Sequence, residues 1–229
     1  MMTNEILWLS FALVDLSILL ILYRFFGKLG LYTGIVISII VCNIQVLKTI
    51  QLFGLTTTLG NVLYASVFLG TDILSEMYGK EDARRGVILG FVALVLSTLY
   101  LQVALLFIPD ASDFAQPHLE ALFGFLPRVA LASVTAYLVS QMYDVWAFHA
   151  IREKTGSRHL WLRNNGSTLV SQFLDSLVFC SIAFIGVYPM AVFWEILIST
   201  YVIKAIVAVL DTPFMYLARR IGAKQAALA

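Results

Sequence analysis

Residues 5–26 read EILWLSFALVDLSILLILYRFF, with only Glu5, Asp15 and Arg24 carrying charge. About 20 apolar residues cross the roughly 30 Å hydrocarbon core of a bilayer as a helix, and this stretch has that length and composition. The rest of the chain follows suit. Hydrophobic residues make up 60% of the 229 positions and charged residues 13%, with a mean hydropathy of +0.89. A water-soluble domain needs about a quarter of its residues charged to coat its surface, so lipid is the solvent for most of this one. Further apolar segments lie near 31–50, 57–78, 86–108, 127–151, 164–187 and 192–218. Backbone polar groups find no water in a bilayer, so the spans are expected as helices rather than open sheet. The fold class expected is all-α: a single polytopic membrane domain over 1–229 with about seven transmembrane helices.

The basic residues test that count independently. Arg24 and Lys28 follow the first span, and Lys80, Arg84 and Arg85 the third. Arg152, Lys154, Arg158 and Arg163 follow the fifth, and Arg219, Arg220 and Lys224 the seventh. Twelve of the fifteen Lys and Arg residues therefore fall on one side. Cytoplasmic loops carry that excess, which predicts an outer N-terminus and a cytoplasmic C-terminus in a cell membrane. Six or eight spans would destroy the alternation. The outer connection 110–126 has no Lys or Arg, and its tail His118–Leu126 is expected as a short interfacial helix burying Leu119, Leu122 and Phe123.

Several function classes drop out. A net charge of +1 offers nothing to nucleic acid. Cys42 and Cys180 lack CxxC spacing and predict neither disulfide nor zinc, and no metal-ligand spacing joins His149 and His159. No Walker motif is present, and no cofactor is expected. The opening Met-Met-Thr-Asn-Glu lacks the basic residues of a signal peptide, so the first helix is expected to be retained. A homo-oligomer is compatible with the sequence.

What remains is an unusual density of polar groups inside the spans: Asp15, Asp72, Glu76, Asp144, Asp175, Glu195, Lys204 and Asp211, with Asn43, Gln141, Asn164, Asn165 and Gln172. Ionisable groups in lipid are costly and face a bundle interior or a wet cavity. Asp72 and Glu76 share a helix face with Phe68 and Tyr64, Gln141 and Asp144 with Tyr137, and Gln172 and Asp175 with Thr168. A common cavity, with Lys204 countering carboxylates, is the economical arrangement. Blander roles exist for some of these groups. Glu76 could pair with the Lys80–Arg85 loop, Asp144, about two turns from Arg152, could snorkel to the interface, and Glu195 or Arg128 could sit in structural bridges. Asp15, alone on its helix, is expected to make an interhelical hydrogen bond.

Laid out in order, these residues resemble the queuosine precursor transporter family, also described as vitamin-uptake-transporter-like. The resemblance rests on Thr71-Asp72 in FLGTDILSEMYG followed by ARRG. It continues through RVALASVTAYLVSQMYDVWAF, with Arg128, Ser133, Tyr137, Gln141 and Asp144. LWLRNNGSTLVSQFLDSLVF then supplies Asn165, Thr168, Gln172 and Asp175, and Asn43, Lys204 and Pro213 complete the set. It spans roughly 40–217. The first helix looks like an addition relative to six-helix members, so Asp15 inherits no role, and Glu76 occupies a position that is not uniformly acidic.

The resemblance implies uptake of a 7-deazaguanine such as preQ0 or preQ1, a small purine-like molecule. A guanine-like edge presents two adjacent N–H donors that one carboxylate accepts together. Asp72 or Asp175 suits that role, with Asn165 and Gln172 on other edges. Lys204 or Arg128 suits the base carbonyl, Phe68 or Tyr137 the ring face, and Asp144 the aminomethyl cation of preQ1. A midplane site with alternating access is the general expectation, and proton coupling through a buried carboxylate, passive exchange or a partner-driven cycle would each serve. Rival readings are the substrate-binding subunit of an energy-coupling vitamin importer and a retinal-binding seven-helix protein. Against retinal, Thr200 stands one turn before Lys204 where a carboxylate counter-ion belongs. An intramembrane enzyme lacks a deep histidine to activate Ser171 or Ser176.

Overall fold

The chain folds back on itself at Gly27, the only residue inside the first helical stretch with non-helical dihedrals (φ 56°, ψ −133°). The computed structural model describes residues 3–155, 160–210 and 212–226; the side chains of 141, 144, 145, 148, 149, 151–169, 208, 209, 212 and 224–226 lie outside this description. Helix α1 runs Asn4–Gln45 in two segments about Gly27. The segments lie antiparallel, since a β-carbon on Gly30 would meet the Leu22 carbonyl and one on Gly34 would meet Leu19. A side chain at Gly27 would be strained by its positive φ, which glycine adopts freely.

A β-hairpin follows, with β1 Thr49–Leu52 and β2 Leu55–Thr58 paired antiparallel in the register Thr49↔Thr58 to Leu52↔Leu55. This corrects the helical expectation for the end of 31–50 and the start of 57–78. The segment is rich in threonine, and Phe53 and Gly54 both take positive φ (50° and 79°), as a two-residue hairpin turn requires. The outer strand is not left open. Glu195 accepts the Thr56 N–H at 3.0 Å and Ser199 donates to the Thr56 carbonyl at 3.1 Å, so a helix later in the chain completes the sheet edge.

After a 3-10 turn at Leu59–Val62 come α2 Tyr64–Tyr78, α3 Lys80–Ala104, α4 Gln116–Phe123, α5 Leu126–Thr155, α6 Leu160–Phe184, α7 Met190–Leu210 and α8 Thr212–Ala226. Helix α3 starts earlier than expected because Gly79 turns the chain at φ 94° and Glu81 and Asp82 favour the new N-terminus. The short helix of the 110–126 connection forms as α4, with Leu119 and Phe123 half-buried and Leu122 exposed. The expected span 192–218 is covered by α7 and α8, described on either side of residue 211.

Two apolar cores result. One joins Leu16, Tyr23 and Ile35 of α1 to Leu69 and Ile73 of α2, Leu94 of α3 and Ala218 of α8. The other joins Val129 and Ala136 of α5 to Cys180 and Phe184 of α6 and Ile196 of α7. Among the described residues, four helical stretches are long and apolar enough to cross a membrane: Asn4–Gln45, Lys80–Ala104, Gln116–Ser140 and Met190–Val207. Many large apolar side chains of these helices, including Ile18, Ile21, Leu96 and Ile198, point outward, the pattern of an all-α protein solvated by lipid.

The two ends of the bundle differ. At the hairpin end, Asn4 donates to the Gln51 carbonyl and Glu5 accepts the Phe53 N–H. At the basic end, Tyr32 and Lys28 donate to Asp82 at 2.8 and 3.0 Å, and Arg219 of α8 pairs with Glu76 at 2.8 Å. Glu76 therefore bridges to the last helix, not to the Lys80–Arg85 loop. The bonds from Tyr32 and then Lys28 hold the Asp82 carboxyl below its ordinary range, so this clamp persists at neutral pH and is lost only as pH falls through that lowered value.

Packing is tight at Gly60, where an added β-carbon would lie 2.3 Å from the Cys42 carbonyl oxygen and 2.9 Å from the Val46 nitrogen. Both are backbone atoms that cannot step aside. Gly60→Ala is expected to destabilise the protein by about 3 kcal/mol, read as a lowered melting temperature in detergent. Gly54→Asn, at an open turn position with nothing within 4 Å, is the contrasting change and should leave melting unaltered.

Candidate functional site

The second segment of α1 meets α2, α3, α5 and α6 around a cavity of about 200 Å³. Each helix contributes residues at helical spacing. Helix α2 presents Tyr64, Val67, Phe68 and Thr71; α3 presents Arg84, Val87 and Phe91; α5 presents Tyr137 and Ser140; α6 presents Gln172 and Asp175; and α1 adds Ile39 and Asn43. Three and four residues apart is one helix face, which is why short polar pairs on separate helices converge here.

The walls are largely aromatic. Phe91 and Tyr137 pack with centroids 4.9 Å apart, and Tyr64 and Phe68 at 5.8 Å. The polar groups cluster on one side. Asp175 is bound by Lys204 through its Oδ2, and Ser140 donates to its Oδ1 at 3.4 Å. That second bond is long, so Oδ1 keeps capacity to accept. Lys204 is 5% exposed and Asp175's side chain 15%, so the ammonium is sealed behind the cavity while the carboxylate reaches it. The Tyr64 ring lies 5.0 Å from the Lys204 nitrogen, adding a cation–π contact. Beside Asp175, the side-chain oxygen of Gln172 is buried with no hydrogen-bond partner among the described residues. A buried polar atom left unpaired is costly, and this one borders the cavity.

Behind this layer, Lys204 joins Asn43, Asn61, Ser133 and Thr200 around a small enclosed space. Ser133 donates to the Asn43 oxygen, Asn43 donates to the Ile39 carbonyl at 2.7 Å, and Asn61 donates to Thr200 at 3.1 Å. This hydrogen-bonded floor fixes the lysine and the base of the cavity.

Comparison with known proteins decides which class of molecule carries this cavity. The family described as "Putative vitamin uptake transporter" matches residues 58–218. A "Probable queuosine precursor transporter" of Bacillus subtilis is 48% identical over 220 residues, covering 96% of each chain. The "Queuosine precursor transporter" of Escherichia coli is 31% identical over 178 residues, covering 76% of this chain and 77% of its own. The chain belongs to the queuosine precursor transporter family. It is a multi-pass membrane transporter and not an enzyme. A Haemophilus influenzae "Probable queuosine precursor transporter" is 33% identical over 137 residues, 58% of this chain and 54% of its own. No solved structure matches. The Bacillus alignment is long enough to include most of the first helix, so that segment is shared with this relative and is not peculiar to the chain.

Within this transporter the expected site residues part company. Asn43, Phe68, Thr71, Tyr137, Gln172 and Asp175 line the cavity together, and Lys204 reaches it through Asp175. Asp72 does not line it. Thr71 faces inward, and the next residue, turned by about 100° on a helix of 3.6 residues per turn, is exposed at the edge of α2. Arg128 is also elsewhere: it donates at 2.6 and 2.5 Å to the carbonyls of Ile182 and Ile185. These are unpaired acceptors at the end of α6, where a cation is favoured. The side chains of Gln141, Asp144, Asn165 and Thr168 lie outside the described residues. Arg84, Phe91 and Ser140 line the cavity without having been expected there. Arg84 reads as one of a run of loop cations, and only its spacing from Val87 and Phe91 betrays a shared face.

Arg128→Ala is expected to cost about 1.5–3 kcal/mol of stability through the lost charge-assisted bonds, with ligand affinity unchanged. Melting and binding measured on the same preparation check both halves.

Proposed function

We propose that this transporter imports a 7-deazaguanine precursor of queuosine, of the preQ0 or preQ1 type, and binds it in the cavity at Asp175. The names of the relatives give the substrate class. The observation that carries the reading is the cavity-facing Oδ1 of Asp175, which takes only a long 3.4 Å bond from Ser140 among the described residues, on a carboxylate held by a buried lysine. The Asp175 Oδ1 edge accepts the adjacent ring N–H and exocyclic amine of the base. Gln172 takes up a further polar edge with its unpaired side chain, and Phe68, Phe91 and Tyr137 enclose the ring. The Asp175–Lys204 pair is neutral as a unit, which suits the uncharged ring edge of a deazaguanine better than an anion.

The topology that goes with this reading has seven spans, the N-terminus and hairpin outside, and α8 with the basic clusters in the cytoplasm, following the Lys and Arg distribution. In that orientation Ala83 and Arg84 stand near the cytoplasmic mouth of the cavity. The test is a melting-temperature panel on purified protein with preQ0, preQ1, queuine and guanine. Selective stabilisation by a deazaguanine is expected; folded protein that responds to none of them refutes the substrate assignment.

A further inference from the structure

Asp15 lies on the first segment of α1, outside the cavity, and the import reading gives it nothing to do. It is 9% exposed, and one of its carboxylate oxygens, Oδ2, has no hydrogen-bond partner. It borders a separate cleft with Ser38 and Ser66, where the two antiparallel segments of α1 pack against α2. Asp15 is therefore a buried carboxyl within an apolar helix, and its surroundings decide its charge.

From the second segment of α1, Ser38 and, one turn on, the Cys42 thiol face this region; from α2 comes Ser66, which contacts Asp15 directly. None of these is a cation, and no ion pair to Asp15 exists among the described residues. Ser66 donates to the Leu63 carbonyl at 3.1 Å and shares a 2.8 Å bond with Ser38, and it hydrogen-bonds Asp15 through its side chain and backbone. These bonds leave Oδ2 unpaired, and a proton on Asp15 removes a charge that the low-dielectric interior would penalise.

We propose that Asp15 is the site of a coupling proton: it takes a proton from the aqueous phase on one side of the membrane and releases it on the other as the transporter changes conformation. This deepens the import reading and rests on it. The link to substrate is mechanical and short. Ser66 directly precedes Val67 and Phe68 in α2, which line the substrate cavity on the other side of that helix. Ionising Asp15 places a buried charge without a cation against α2 at Ser66, so the state of this carboxyl biases the position of α2. Sodium is the poorer fit. Transporter sodium sites use backbone carbonyls freed by unwound helix, whereas α1 is regular helix around both Asp15 and Ser38.

The test separates exchange from accumulation in proteoliposomes, using labelled preQ1. Asp15→Asn keeps the shape and neutrality of the protonated acid but cannot release a proton. It is expected to retain exchange of internal for external preQ1 at the wild-type level and to lose all accumulation driven by an imposed pH gradient. A second readout needs no substrate: infrared spectra of purified protein followed from acid to alkaline pH should show a titrating carboxyl band that Asp15→Asn removes. Gradient-driven accumulation intact in Asp15→Asn, dependence on sodium in place of protons, or no spectral difference would each overturn the proposal. If Asp15→Asn does not fold, Ser66→Ala is expected to shift the pH at which the carboxyl band disappears, and an unshifted band overturns it instead. Should the wild type exchange no deazaguanine, the import reading fails and the infrared measurement still decides whether Asp15 holds the proton.

Discussion

Lys204→Met lowers stability by about 3–5 kcal/mol, the cost of leaving a carboxylate without the partner it was buried against. The expectation follows from two facts of the structure: the ammonium is almost wholly sealed from solvent, and its hydrogen-bonded partner is Asp175. The size of the effect belongs to the stranded charge more than to the lost attraction. The double variant Lys204→Met/Asp175→Asn, with no charge left to strand, is therefore expected to melt higher than the single variant. Melting curves of the two, side by side in detergent, check this. Equal melting of both would mean that the pair is solvated and that the cavity floor is wetter than its packing implies.

Asp175→Asn lowers affinity for the deazaguanine by at least about 100-fold, or roughly 2.8 kcal/mol. Two donors on one edge of the base lose a charged acceptor, and each such bond contributes on the order of 1.5–3 kcal/mol. Asparagine also turns an N–H group towards ligand donors in one of its two orientations. Gln172→Leu removes a single neutral partner, and about tenfold is the expected loss. Calorimetric titration of the two variants checks the ordering. A larger effect from Gln172 than from Asp175 would move the reading edge of the base to the amide.

The helical, lipid-solvated class was legible because hydropathy acts over tens of residues. Breaks at Gly27, Gly79 and Gly186 were legible because each takes a positive φ that ends a helix. The hairpin was hidden. Its strands sit in apolar windows that also suit a helix, and pairing with Glu195 and Ser199 of α7 satisfies the outer edge only in three dimensions.

At the site, spacing on one helix was informative and identity across helices was not. Gln172 and Asp175, or Phe68 and Thr71, announce a common face by being three residues apart. That Lys204 would choose Asp175, or that Ser133 would meet Asn43, depends on helix packing that no local pattern encodes. Asp72, read with Glu76 as part of the Tyr64 and Phe68 face, is absent from the cavity lining and exposed on α2.

The most direct test is uptake of labelled preQ1 into proteoliposomes containing the wild type, Asp175→Asn or Arg128→Ala. Saturable uptake by the wild type and by Arg128→Ala, with none by folded Asp175→Asn, is the predicted result. Undiminished uptake by Asp175→Asn would contradict the account, because the substrate would then pass through the membrane without the carboxylate on which the cavity is centred.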